Sequence, residues 1–150
     1  MNRLKFGIVG LGNMGTQHYH SITQQFIQRA EVTAVCDVDP VRLSKLSPEI
    51  PRFSDSLEMI ESGLIEALVV ATPHYDHSTI GEAALKSGLH LLVEKPIAVH
   101  KNACQELIKA YEQRPRKEQV FVPCSTNGQI PAISVFVKWS AMESWGIYDA

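Results

Sequence analysis

The chain has 150 residues, 45% of them hydrophobic and 20% charged, with a formal net charge of −2. That is enough chain for one domain with its own core. The charge balance argues against general attraction to nucleic acid or anionic membrane, and no apolar run approaches the ~20 residues that span a bilayer. Cys36, Cys104 and Cys124 are scattered and match neither a metal-ligand spacing nor a disulfide framework. No metal is expected, and a reducing, cytoplasmic setting is the simplest expectation.

Residues 5–9 are short, apolar and partly β-branched, which predicts a buried strand running straight into GLGNMG. A helix is expected over residues 14–29, with Met14, His18, Ile22 and Phe26 four apart along one face. VTAVCD, residues 32–37, predicts a second strand ending in an acid, and Asp39 before Pro40 predicts a helix cap. The pattern repeats: a helix over 54–61, a strand over 67–71, a helix capped by Asp76 and stopped by Gly88, and a strand over 89–93. A helix over 101–114 and a fifth strand over 119–122 close the series. Near-continuous apolar strands alternating with helices predict an α/β fold of Rossmann type, a mostly parallel sheet covered on both faces. Ligands of such sheets gather beyond the carboxyl ends of the strands.

Three strand ends carry the chemistry. Gly10, Gly12 and Gly15 fit G-x-G-x-x-G between a predicted strand and a predicted helix, the context that gives this motif its weight. Gly10 suits the tight turn, Gly12 the approach of a pyrophosphate, and Gly15 close helix packing, with the amides around Asn13 and Met14 facing the phosphates. Asp37 ends the second strand 22 residues beyond Gly15, where a carboxylate can accept hydrogen bonds from the ribose of NAD. It would repel the extra phosphate of NADP, although the nearby Arg42 leaves room for both cofactors. Thr72, Pro73 and His77 follow the third strand and are expected to line the cofactor cleft or cap the next helix. His74 and His77 lack further ligands, so no metal site is expected there. In LLVEKPIA, Glu94, Lys95 and Pro96 set two opposite charges and a rigid residue at the end of the fourth strand. On the residues alone, Glu94 and Lys95 could be a surface ion pair.

GIVGLGNMG, VCDVDP and ATPHYDHSTIGEAALKSGLHLLVEKPIAV together resemble the N-terminal domain of the Gfo/Idh/MocA oxidoreductases, over residues 4–122. The resemblance implies that Lys95 lies where nicotinamide and substrate meet and is the catalytic candidate of this chain. Its ammonium would bind a substrate hydroxyl and support the developing oxyanion. It implies that Glu94 orients the strand-end loop and that Pro96 follows a cis peptide. The substrate of such enzymes is a sugar, cyclitol or related polyol, whose secondary alcohol gives hydride to NAD(P) and a proton to a base. In the family a second α/β domain supplies an aspartate and a histidine, and none of His74, His77 and His100 matches that histidine.

The text after Val122 departs from the family pattern, which continues close to MFNQR. Back-translation of residues 122–146, read from the third base of the Pro123 codon, permits MFNQRPDPSYLRLRQMVRDGIVG. A frameshift near residues 122–123 is therefore expected. It would leave a Rossmann domain over 1–122, an out-of-frame tail over 123–150 and no substrate domain. The apolar run 130–137, Trp139 and Trp145 could form an extra strand and a sticky patch. Weak dinucleotide binding with little turnover is the leading expectation, with a non-catalytic nucleotide-responsive or partner-binding module as the alternative. A methyltransferase also uses a glycine-rich first loop, but EKP and the acid at 37 argue against it.

Overall fold

A computed structural model describes residues 3–25 and 27–124. Six strands form one sheet in the order β3-β2-β1-β4-β5-β6, and every neighbouring pair is parallel. The strands are β1 (Leu4–Val9), β2 (Ala30–Cys36), β3 (Arg52–Phe53), β4 (Ala67–Val70), β5 (His90–Val93) and β6 (Phe121–Pro123). Between them run α1 (Asn13–Thr23), α2 (Pro40–Ser44), α3 (Ser56–Glu61), α4 (His77–Lys86) and α5 (Lys101–Glu112). The expected Rossmann-type α/β fold is thus the observed one. None of the described helices is long and apolar enough to cross a membrane.

Alternation within each strand builds two cores. Phe6, Ile8, Val35, Val69 and Leu92 face one side, where Tyr19 and Ile22 of α1 and Leu43 of α2 cover them. Ala34, Cys36, Leu68, Val70, Leu91 and Val93 face the other, under Met59 of α3, Leu85 of α4 and Leu107 of α5. Because both faces are covered, the carboxyl-terminal parts of β1 and β2 and the whole of β4 read as continuous apolar runs. The sheet order reverses direction between β1 and β4, so the loops leaving these two strands part and open a crevice at their carboxyl ends.

Several element boundaries differ from the sequence reading. The helix expected over 14–29 stops at Thr23, and Gln25 takes a left-handed backbone with φ of 61°. The chain must turn there to begin β2 at Ala30, and the Gln24 and Gln25 amides close the helix on the carbonyls of His20 and Ile22. Phe26 lies outside the described residues. β3 was not expected, since two residues are too few for any period, yet Arg52 and Phe53 extend the sheet beside Val35 and Cys36. Asp39 caps α2 through the Val41 amide, and Asp55 caps α3 through those of Leu57 and Glu58. Asp76 precedes α4 but makes no side-chain cap. The predicted tail features at 130–137, Trp139 and Trp145 also lie outside the described residues.

One buried histidine ties the sheet edge to pH. His90 is 7% exposed, and its Nδ1 accepts the Val120 amide at 3.1 Å. Burial, with the Arg116 charge, lowers its pKa from the ordinary value. The unfolded chain therefore takes up a proton that the folded chain resists, so His90 favours folding above about pH 6.5 and opposes it below. Urea unfolding should show a loss of stability from pH 7 to pH 5.5 that shrinks in His90→Asn, which keeps an acceptor without the titration. An equal loss in both proteins would contradict this role.

Candidate functional site

The crevice begins at the glycine turn after β1. Gly10 has φ of 86°, and a Cβ there would stand 2.6 Å from the backbone of Ala71 and Thr72 at the end of β4. A Cβ on Gly15 would stand 1.8 Å from the Gly10 carbonyl oxygen, so the first turn of α1 rests directly on the turn that precedes it. Gly12 is different: nothing lies within 4 Å of its would-be Cβ, on the side where a ligand can approach. It is also the N-cap of α1 and brings no side chain to the first-turn amides, so these and the positive end of the helix remain available to an anion. Asn13 is exposed and Met14 half-buried in that turn.

Asp37 closes one end of the crevice. It is 5% exposed, and its Oδ2 accepts the Leu11 amide at 2.6 Å while Oδ1 accepts the Asp39 amide at 2.8 Å. The end of β2 is thereby fastened to the glycine turn of β1. Arg42 lies 3.5 Å from Asp37 and 3.6 Å from Asp39, half-exposed at the mouth. Between these groups and the α4 side lies a cleft of about 790 Å³, lined by Gly10, Gly12, Asp37, Arg42, Thr72 and Pro73 among others. Sequence reasoning missed the stretch from Ser54 to Leu57, which supplies a further wall. That stretch, which runs into the first turn of α3, follows the strand too short to predict.

Thr72 Oγ1 is buried and has no hydrogen-bond partner among the described residues. A buried hydroxyl left unpaired is costly, so its position against the cleft suits a polar ligand. His77 does not line the cleft. It is 1% exposed, with its ring between the carbonyls of Thr72, 2.7 Å from Nε2, and Pro96, 2.8 Å from Nδ1. It braces the loops after β4 and β5 from beneath.

The charged end of β5 is split rather than paired. Glu94 turns to His18 on α1, with Oε1 2.5 Å from Nε2, across 76 positions of sequence. Burial opposes ionisation of Glu94, but the His18 contact, the Lys95 amide and the Cys124 thiol outweigh it and hold the carboxyl below its ordinary pKa. Lys95 is exposed at the rim, with no ion-pair partner among the described residues, and the Lys95–Pro96 peptide is cis. The surface ion pair that the sequence allowed is therefore not formed. His18 carried no functional signal, since its spacing marked only a helix face. Burial, then the neighbouring carboxylates, pushes the Cys36 thiol up to about 12, which makes it inert at neutral pH.

The family described as an oxidoreductase family with an NAD-binding Rossmann fold matches residues 4–122. The chain belongs to the Gfo/Idh/MocA family. Among its relatives, the inositol 2-dehydrogenase of Salmonella typhimurium is 32% identical over 121 residues, 78% of this chain and 35% of that protein. The inositol 2-dehydrogenase/D-chiro-inositol 3-dehydrogenase of Lactiplantibacillus plantarum is 30% identical over 117 residues, 75% of this chain and 33% of that protein. The crystal structure of Lactobacillus casei scyllo-inositol dehydrogenase with bound NAD(H) and scyllo-inositol superposes with a TM-score of 0.75 at 30% identity. It covers 81% of this chain and 36% of that one. The chain thus spans about a third of the length of these Gfo/Idh/MocA relatives. Its matched residues are the NAD-binding Rossmann domain of that oxidoreductase family and are related to the corresponding part of inositol dehydrogenases.

The glycines give a direct test. Gly15→Ala should lower stability by about 3 kcal/mol, because the clash is with backbone that cannot rotate away. Gly12→Ala should leave the melting temperature nearly unchanged yet weaken dinucleotide binding. Equal melting temperatures for the two variants would contradict the packing described.

Proposed function

We propose that this domain binds NAD in preference to NADP and forms the cofactor wall of a polyol or sugar dehydrogenase. The observation that carries the reading is the buried Asp37 carboxylate, bonded to the Leu11 amide at one end of the glycine turn. In this reading Asp37 receives the adenosine ribose, the first turn of α1 the pyrophosphate, and Thr72 Oγ1 a polar group further along the cleft. Asp37 and Asp39 flank the same end, so an added ribose phosphate meets two carboxylates before Arg42 can compensate.

Bound nicotinamide supplies a hydride acceptor for a secondary alcohol. Lys95 contributes from the rim of β5: its unpaired ammonium donates to the substrate hydroxyl oxygen and favours negative charge developing there. Pro96 and the His77 brace fix the loop on which Lys95 stands. Glu94, occupied by His18, does not neutralise that ammonium. The base that accepts the alcohol proton, and the opposite wall of the substrate site, belong in this reading to a second domain. Turnover in this reading needs both walls of the cleft.

Isothermal titration of the purified chain should detect NAD and a weaker response to NADP. Asp37→Asn, which keeps the shape but removes the charge, should weaken NAD by about tenfold and narrow the preference. No heat with either dinucleotide at millimolar concentration would overturn the proposal.

A further inference from the structure

Glu94 and Lys95 follow each other just beyond the last paired residue of β5, yet their side chains part. The Glu94 carboxylate is 13% exposed, and its Oε1 lies 2.5 Å from Nε2 of His18 in the second turn of α1. Burial opposes the charge on Glu94, but the contact with His18 and the bond from the Lys95 amide hold its carboxyl below the ordinary range. It is a charged group that needs its donors, in a place that water reaches poorly. Lys95 is exposed, and none of the ion pairs among the described residues includes it.

The backbone under these two residues is held by other contacts. The Glu94 amide donates to the Val70 carbonyl at 2.9 Å, and the Pro96 carbonyl meets the His77 ring at 2.8 Å. His18 therefore decides where the carboxylate points rather than where the chain runs. Without His18, the nearest cation in sequence is the ammonium of Lys95. Both stems are long and both residues lie past the strand, so the two charges can meet round the intervening peptide. A half-buried carboxylate deprived of its donor gains most by taking that cation.

From this arrangement we propose that His18 is a positioning residue for Lys95: by holding the Glu94 carboxylate against α1, it keeps the Lys95 ammonium unpaired at the rim of the crevice. The proposal rests on the reading of Lys95 as the group that meets the substrate oxygen. In that reading α1 serves both ends of the crevice, with its first turn toward the pyrophosphate and its second turn toward the charge at β5. A substrate oxygen then meets an ammonium for which no carboxylate competes.

Trace acetylation of the full 150-residue chain, read lysine by lysine by mass spectrometry, tests this. An amine acylates only after losing its proton, and a paired carboxylate opposes that loss, so the rate at Lys95 reports its partner. Lys101 and Lys109, both exposed on α5, serve as internal references. Relative to them, Lys95 should acetylate about three- to tenfold more slowly in His18→Ala than in wild type. His18→Gln, whose amide nitrogen still donates to Glu94, should restore the rate. Adding Glu94→Gln to His18→Ala should restore it too, because the competing charge is gone. Glu94→Gln alone should leave Lys95 within about twofold of wild type, a comparison that stands even if His18→Ala does not fold. An unchanged rate in His18→Ala, a slowing that persists in the double variant, or a faster Lys95 in Glu94→Gln would overturn the proposal. Titration of the same chains with NAD separates the two claims: a wild type that gives no heat overturns the dinucleotide site and leaves the acetylation rates as the test of His18.

Discussion

The first turn of α1 stands on the carbonyl of Gly10, at a separation no side chain could share. A Cβ at position 15 would lie 1.8 Å from that oxygen. This contact fixes where the helix starts, and the helix start fixes the rest of the rim. Gly10 in turn presses on the end of β4, so β1, α1 and the loop at Thr72 form one rigid corner. The corner lies where the sheet order reverses, and the crevice opens there because the two loops leave on opposite faces.

Two acids at the strand ends divide the rim between them. Asp37 spends its carboxylate on the Leu11 and Asp39 amides and so locks β2 to the glycine turn while still facing the cleft. Glu94 spends its own on His18 and leaves its neighbour Lys95 unpaired. Charge is thus separated along the rim: negative beside β2, positive beyond β5. An adjacent Glu–Lys pair in sequence need not be a pair in space, because successive residues at a strand end point apart.

Much of this was legible in the sequence. Apolar runs such as residues 6–9 and 67–70 announced a sheet buried on both faces, and the glycines between strand and helix located the turn. Other features were hidden for physical reasons. β3 has two residues, below the length at which a period exists. The early end of α1 depends on where β2 must begin, a tertiary requirement that no local signal states. His77 reads as a polar cleft residue but is buried between two carbonyls, because the bond partners come from loops 5 and 19 positions away. The meeting of His18 with Glu94 is longer in range still, across 76 positions, and no spacing rule covers it.

The central claim is that the glycine corner and Asp37 together form a dinucleotide site. Amide chemical-shift mapping of the isotope-labelled chain tests it most directly. Addition of NAD should move the amides of Leu11, Gly12, Asn13 and Asp37 most, with Thr72 following. Saturating NAD that leaves those amides in place, or moves only amides far from the corner, would contradict the account.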